Sequence, residues 1–116
     1  MNILVCDDDK EIVEAISIYL EQEGYTIFRA YDGYEALDIA NSKDIQLMLI
    51  DIMMPNLDGI HAVLELRKKS NIPVIILSAK SEDTDKIMGL TIGADDYITK
   101  PFNPLELTAR VKSQLK

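Results

Sequence analysis

Three continuous apolar tetrads, separated by longer amphipathic stretches, constrain the fold of this chain more than any other feature of its sequence. The tetrads are residues 3–6, 47–50 and 74–77, which read ILVC, LMLI and VIIL. Runs that are apolar at every position are typical of strands that helices cover on both faces. Two weaker and mixed runs, residues 26–30 and 97–99, are typical of strands nearer a sheet edge.

Helices are predicted between these strands, because apolar residues recur there at helical spacing. The first helix is marked by Ile12, Ile16 and Leu20 and ends before Gly24, and the second is marked by Ala36, Ile39 and Ala40 after Asp32. The third and fourth helices are predicted over residues 57–69 and 84–92, and the last is marked by Leu107, Val111 and Leu115. Strands and helices therefore alternate five times. This order predicts a flavodoxin-like α/β fold, a three-layer (βα)5 sandwich whose parallel sheet has the strand order 2-1-3-4-5 with helices on both faces.

Length and charge limit the classes of protein that the chain can belong to. It has 116 residues, so we expect one domain over residues 1–116. It has 20 acidic and 12 basic side chains and a formal net charge of −8, so we expect that its overall electrostatic field does not attract DNA. The single Cys6 excludes an internal disulfide. No apolar run approaches the ~20 residues of a membrane helix. We expect a cytoplasmic domain that binds no membrane.

Chemically matched side chains follow the predicted strands at their carboxyl ends. They are Asp7, Asp8 and Asp9 after the first strand, Asp51 after the third, Ser78 after the fourth and Lys100 after the fifth. Ligands of open α/β sheets bind beyond these ends, and the first and third strands are predicted neighbours, so Asp7, Asp8 and Asp51 should converge. Three carboxylates at such short distances repel one another, so they require a bound cation, a raised pKa or both. Hard oxygen ligands at an open edge favour Mg²⁺.

Most of the other polar residues have ordinary structural interpretations when they are taken singly. Asp9 and Asp32 are interpreted as helix N-caps or solvated loop residues. Cys6 is expected in the strand core and His61 at the surface, outside the group at the strand ends. Asp51 differs, because it lies between two apolar runs, and an acid in a buried-strand pattern usually has a functional reason.

The motifs together resemble the receiver domain of bacterial two-component response regulators. They are CDDD at residues 6–9, LIDIMMP at 49–55 with DG at 58–59, LSA at 77–79 and GADDYITKPF at 93–102. The resemblance covers the whole chain in the same order. Residues 93–102 look most like the OmpR/PhoB subfamily of transcription regulators, which implies that a winged-helix DNA-binding domain follows residue 116 and that DNA is bound only through that domain.

The resemblance implies that Asp51 accepts a phosphoryl group from the phosphohistidine of a sensor histidine kinase. It also implies that Mg²⁺, or Mn²⁺ in its place, is bound directly by Asp8 and Asp51 and by the main-chain carbonyl of Met53, with Asp7 acting through water. A carboxylate nucleophile, a metal and a lysine are what in-line phosphoryl transfer needs.

The resemblance also implies a switch and a dimer. Ser78 would hydrogen-bond the phosphoryl oxygen, Lys100 would neutralise its charge, and Tyr97 would turn inward. The bond between Lys100 and Pro101 would be cis. The implied dimer face is formed by the fourth helix, the fifth strand and the fifth helix, and its charged residues are Lys86, Asp96, Glu106 and Arg110, with Lys86–Glu106 and Asp96–Arg110 pairs across a two-fold axis.

Two other functions remain as alternatives from different classes. A haloacid dehalogenase-like phosphatase also uses an aspartate after an apolar strand, but it needs a second acid where this chain has Met53, and the chain has no room for the usual cap. A nucleotide- or flavin-binding module needs a phosphate cradle of backbone amides, whereas the loop after the first strand carries three acids. Met53 and Lys80 hold positions that tune dephosphorylation in the resembled family, so the lifetime of the phosphorylated state stays open.

Overall fold

Parallel strands in the order β2-β1-β3-β4-β5 form the central sheet. The structure is a computed structural model that describes residues 1–79 and 93–116. The strands are β1 (Asn2–Cys6), β2 (Thr26–Ala30), β3 (Leu47–Asp51), β4 (Val74–Ala79) and β5 (Asp96–Lys100). The helices are α1 (Lys10–Gln22), α2 (Gly33–Ser42), α3 (Gly59–Arg67) and the last helix (Pro104–Gln114). The fold class and strand order predicted from the sequence are confirmed.

The apolar tetrads form strands because their alternate side chains enter two separate cores. Leu4 and Ile50 pack with α2 and α3 on one face of the sheet. Ile3 and Leu49 pack with α1 and the last helix on the other. All five residues of β3 are buried, which makes it the most protected strand among those described. A sheet covered on both faces in this way is the predicted three-layer sandwich.

Short polar side chains define where the helices begin. Asp9, Asp32 and Asp58 cap α1, α2 and α3 by accepting hydrogen bonds from backbone amides of the first turn, and Asn103 caps the last helix. These caps confirm the ordinary interpretation of Asp9 and Asp32. The third helix is shorter than the predicted residues 57–69, because the cap at Asp58 sets its beginning.

Two further sequence predictions concern the second half of the chain. The predicted fourth helix, residues 84–92, lies outside the described residues, and so does Lys80. The fifth strand is longer than the predicted residues 97–99, since Asp96 and Lys100 also pair with β4. None of the described helices combines the length and the apolar character that a membrane crossing requires.

Candidate functional site

Three aspartates converge at the carboxyl ends of the neighbouring strands β1 and β3. Their carboxylate oxygens lie within 4.8 Å of one another. Asp7 and Asp51 are 1% and 5% exposed, whereas Asp8 is exposed. The register pairs Cys6 with Ile50, so Asp7, which follows β1, and Asp51, the last residue of β3, meet at one edge of the sheet. The expected convergence of Asp7, Asp8 and Asp51 is therefore observed.

Lys100, at the end of β5, supplies the positive charge of this cluster. Its Nζ lies 2.7 Å from Oδ2 of Asp7 and 3.2 Å from Oδ1 of Asp51. Burial lowers the pKa of Lys100, but its hydrogen bond to Asp7 and the nearby carboxylates raise it by more. The ammonium therefore stays charged and offsets one of the three negative charges.

The electrostatics of the two buried aspartates differ from those of a surface carboxylate. Burial raises the pKa of Asp51 to about 6, the charge of Asp7 adds to the rise, and Lys100 opposes it. Burial also raises the pKa of Asp7, against the opposing hydrogen bonds from Lys100 and from the amide of Asp9. The cluster carries more negative charge than one lysine balances, which is the condition in which a site binds a cation.

Ser78 and Tyr97 extend the site along β4 and β5. Ser78 is 1% exposed, and its Oγ is buried without a hydrogen-bond partner among the described residues. A buried hydroxyl left in this state calls for an explanation such as a ligand oxygen. Tyr97 is half-buried and packs against the core formed with α2 and α3.

The loop between β3 and α3, residues 52–58, borders the aspartates. A cavity of about 400 Å³ is lined by Asp8, Met53, Met54, Pro55 and Asp58, so Met53 lies beside the acidic cluster. Met53 is 71% exposed, so its side chain contributes little to the packing of this loop. At the end of this loop, a Cβ on Gly59 would lie 2.1 Å from the carbonyl oxygen of Asp51, so only glycine allows α3 to approach β3 this closely.

An apolar groove that the sequence did not reveal also borders Lys100. It has a volume of about 420 Å³ and is lined by Ile12, Ala79, Lys100, Pro101 and Phe102. The Lys100–Pro101 bond is cis, as the resemblance implied. The groove walls come from three separate segments, so no local sequence pattern could have indicated them.

Three of the four charged residues of the expected dimer face contact one another within one chain. Arg110 Nη1 lies 2.8 Å from Oδ1 and 2.9 Å from Oδ2 of Asp96. Arg110 Nε lies 3.7 Å from Oε1 of Glu106, one turn away on the last helix. The fourth residue of that face, Lys86, lies outside the described residues.

Two residues with ordinary interpretations lie where the sequence predicted them. Cys6 is buried, and burial raises the pKa of its thiol, which makes it an inert part of the core. The imidazole of His61 is exposed and contacts Asp58, with 2.8 Å between Nδ1 and Oδ2. Neither belongs to the group of side chains at the strand ends.

The sequence matches the family described as the response regulator receiver domain over residues 3–112. The chain belongs to this family. It is therefore a signalling domain of two-component systems. Receiver domains interact with sensor histidine kinases and bind Mg²⁺ in an acidic pocket. Asp7, Asp8 and Asp51 are the group of acidic residues in the described part of this receiver domain that could hold such an ion.

Named relatives extend this similarity. The receiver domain is 51% identical over 114 residues to the response regulator GtcR of Aneurinibacillus migulanus, and 49% identical to the regulatory protein VanR of Enterococcus faecium. Both comparisons cover 98% of this chain but only 47% and 49% of the relatives. The chain thus spans about half the length of the curated relatives it matches.

Solved structures agree with the fold and with the family. The receiver domain of the Francisella response regulator 1452 has 46% identity and a TM-score of 0.91, over 98% of this chain and 95% of that one. A two-component response regulator from Clostridium difficile has 30% identity and a TM-score of 0.94, over 99% and 95%. At these identities the similarity concerns the family as well as the fold.

Proposed function

We propose that Asp51 is the phosphoacceptor of this receiver domain and takes its phosphoryl group from a histidine kinase in a Mg²⁺-dependent reaction. The observation that carries the proposal is the convergence of three carboxylates, two of which contact the Nζ of Lys100, near a buried hydroxyl that has no hydrogen-bond partner among the described residues. With a pKa of about 6, Asp51 is mainly ionised at neutral pH. One of its oxygens would attack phosphorus as the bond between phosphorus and the histidine nitrogen breaks.

The donor set fits a hard divalent cation. Asp8 and Asp51 would bind Mg²⁺ directly with the carbonyl of Met53, and Asp7 would act through water, which leaves other positions for water and a phosphoryl oxygen. When bound, the ion offsets the negative charge that gathers on the carboxylates and the phosphoryl oxygens. Mn²⁺ takes the same oxygen ligands and is the expected substitute.

Three side chains of β4 and β5 complete the proposed mechanism. Lys100 would neutralise a phosphoryl oxygen, and its contact with Asp51 supports this role. Ser78, whose hydroxyl has no partner in the described part of the chain, would donate it to a second phosphoryl oxygen. As Ser78 moves toward Asp51, the space behind it would let Tyr97 turn inward, which changes the surface around β5.

We further propose that this domain regulates transcription as a member of the OmpR/PhoB subfamily. The support is the motif at residues 93–102 and the greater length of the relatives, one of which is named a regulatory protein. A winged-helix domain after residue 116 would bind DNA, which the acidic receiver domain itself does not attract. Phosphorylation would control a two-fold dimer through Lys86, Asp96, Glu106 and Arg110.

Phosphorylation is tested by measuring the intact mass after incubation with acetyl phosphate. The wild type should gain the mass of one phosphoryl group with Mg²⁺ and none with a chelator, and Asp51→Asn should gain none. Asp38→Asn, which changes an exposed aspartate of α2, is the matched control and should behave as the wild type. A phosphoryl group on an aspartate of Asp51→Asn would contradict the assignment. Continuous hydrolysis of acetyl phosphate without a stable product would favour the phosphatase.

A further inference from the structure

The loop between β3 and α3 contains a backbone conformation that is rare outside glycine. Asn56 has φ +68°, and no other non-glycine residue within 1–79 and 93–116 has a positive φ. The left-handed region brings Cβ close to the following carbonyl, and asparagine tolerates it best among residues with a side chain. Such a conformation persists only where the surrounding contacts hold it.

A side-chain hydrogen bond holds Asn56 to the beginning of α2. Its Nδ2 donates to Oδ2 of Asp32 at 2.9 Å. The other carboxylate oxygen of Asp32 caps α2 by accepting from the amide of Glu35, also at 2.9 Å. The cap of α2 therefore has a second role, because the same carboxylate anchors a loop that is 24 residues away in sequence.

A backbone contact beside it makes the attachment double. The amide of Gly33 donates to the carbonyl of Leu57 at 3.0 Å, and a Cβ on Gly33 would lie only 2.4 Å from that oxygen. Two consecutive loop residues, Asn56 and Leu57, are thus tied to two consecutive residues at the beginning of α2. The far end of the loop is closed by the amide of Gly59, which donates to the carbonyl of Ile52 at 2.9 Å.

In the sequence, Met53 lies between Ile52, which closes the loop on Gly59, and Asn56, which is held to α2. It also lines the cavity beside Asp8. Its exposed side chain does not hold its main chain in place by packing. From this arrangement we infer that Asn56 is a positioning residue for the metal site, which acts through the loop by fixing the main chain of Met53 against the aspartates. The inference rests on the proposed function, since it concerns the same Mg²⁺ site. Asn56 itself is not a ligand in this assignment.

Asn56→Gly separates the hydrogen bond from the backbone conformation, because glycine adopts the positive φ without strain but cannot donate to Asp32. We expect the melting temperature to change little. We expect the amides of residues 52–54, 56 and 57 to exchange hydrogen faster in the metal-free protein. The Kd for Mg²⁺, followed by NMR during titration with the metal alone, should rise by roughly ten-fold, as for other residues that orient ligands.

Asp32→Ser tests the same bond from its other end, because serine also caps helices but is too short to reach Asn56. It should weaken Mg²⁺ binding as much as Asn56→Gly does. The double variant should be no worse than either single variant, since both remove one interaction. Asn71→Gly, at an exposed asparagine between α3 and β4, controls for the added glycine and should leave the Kd unchanged.

The outcomes separate this inference from the metal site itself. Equal Mg²⁺ affinity in the wild type and Asn56→Gly, or additive effects of the two single variants, would overturn the positioning role of Asn56 while the metal site stands. A wild type that binds no Mg²⁺ would overturn the metal site, and this inference with it. Loss of affinity in Asn56→Gly and Asp32→Ser, with the fold intact and the control unchanged, supports the assignment.

Discussion

Lys100 Nζ lies 2.7 Å from the carboxylate of Asp7, which joins the end of β5 to the end of β1 across the width of the site. Asp7 is buried, so its charge depends on this partner. Breaking a buried ion pair leaves a charge that neither water nor protein compensates, and this costs more than the intact pair contributes.

Lys100→Met should therefore destabilise the metal-free domain by about 2 kcal/mol at pH 7.5, the cost of leaving a buried acceptor without its partner. The loss should shrink as the pH falls, because the aspartates can then protonate. Urea unfolding at pH 5.0 and 7.5 measures both effects. Lys112→Met is the control, since Lys112 pairs with Glu23 at the surface and should cost less than about 1 kcal/mol. Equal effects of the two substitutions would contradict the role given to Lys100.

Asp51→Asn should stabilise the metal-free domain at neutral pH. The pKa of Asp51 is raised from 3.8 to about 6 on folding. Between these values the folded state binds more protons than the unfolded state, so the free energy of unfolding falls as the pH rises through this window and stays lower above it. The shift corresponds to about 3 kcal/mol at pH 7.5, which the amide avoids.

Urea unfolding in a chelator, from pH 3.5 to 7.5, measures this dependence. The advantage of Asp51→Asn over the wild type should be small near pH 3.5, grow between about pH 4 and 6, and be complete near pH 7. Asp38→Asn on the exposed side of α2 should show no such trend. A wild type whose stability rises relative to Asp51→Asn between pH 4 and 6 would have the opposite sign and would refute the argument.

Asp8→Ala should weaken Mg²⁺ binding by at least about ten-fold, since it removes one of the two carboxylates proposed to bind the ion directly. The charge of Asp8 adds to the rise in the pKa of Asp51, so its removal relieves repulsion. We therefore expect unchanged or higher thermal stability without metal. Mg²⁺ titration of the tyrosine fluorescence and thermal melts in a chelator test the two parts. Equal Mg²⁺ affinity in Asp8→Ala and the wild type would remove Asp8 from the ligand set.

Arg67→Ala should cost about 2–3 kcal/mol in the free energy of unfolding, because one guanidinium satisfies acceptors from two segments. Its Nε and Nη2 donate to the carbonyl of Gly93 at 3.1 and 2.8 Å. Its Nη1 donates to the carbonyls of Ser70 at 3.2 Å and Ile72 at 2.8 Å. It also contacts Asp95 Oδ2 at 3.2 Å. Arg67→Lys should restore only part of the loss, since an ammonium cannot reproduce the planar fork.

The neighbouring Lys68→Ala is the matched control for Arg67. Among the residues that the structure describes, Lys68 pairs with Glu65 alone, at 2.9 Å, and both side chains are more than half exposed. Such a pair contributes about 0.3–0.5 kcal/mol. Chemical denaturation of the three variants would show whether the acceptors held by Arg67 matter, and equal losses in Arg67→Ala and Lys68→Ala would show that they do not.

The sheet and the acidic cluster could be predicted from the sequence because both depend on simple periodicity. A run such as residues 47–50 is buried on both faces, and Asp51 then emerges at the carboxyl edge whatever the details of packing. The residue at which each helix begins was harder to predict, because the sequence does not distinguish an aspartate that caps a helix, such as Asp58, from an aspartate in a loop.

Side-chain contacts that depend on a loop torsion or on the packing of a helix could not be predicted. The bond from Asn56 to Asp32 depends on one backbone torsion in a loop, and asparagine in a loop sequence does not reveal its φ. The pair of Arg110 with Asp96 spans 14 residues and two elements, so it requires the packing of the last helix against β5. The sequence indicated which residues are charged, but not which partner each one takes.

Charge reversal on the proposed dimer face should change the dimerisation of the activated domain. Dimerisation is measured by analytical ultracentrifugation with Mg²⁺ and with beryllofluoride as a phosphoryl mimic. We expect the wild type to dimerise and Arg110→Glu to dimerise less. The double variant that carries both Arg110→Glu and Asp96→Arg should regain part of the loss. Lys112→Glu, on the same helix but paired with Glu23 of the same chain, should have little effect. An activated wild type that stays monomeric at high micromolar concentration would contradict the dimer.

Mixing the two single variants separates pairing between chains from pairing within a chain. Asp96 contacts Arg110 of its own chain, so each single variant places like charges together inside one protomer. In a mixture, residues 96 and 110 of each chain still carry like charges that repel each other within that chain. Across a two-fold axis, however, each mutated residue meets an opposite charge on the other chain. Exposed pairs contribute only about 0.2–1 kcal/mol each, and the axis makes each pair occur twice. Dimerisation of the mixture, but of neither variant alone, is therefore the result expected from contacts across the axis. A mixture as monomeric as its components would mean that Asp96 and Arg110 serve the protomer and not the dimer.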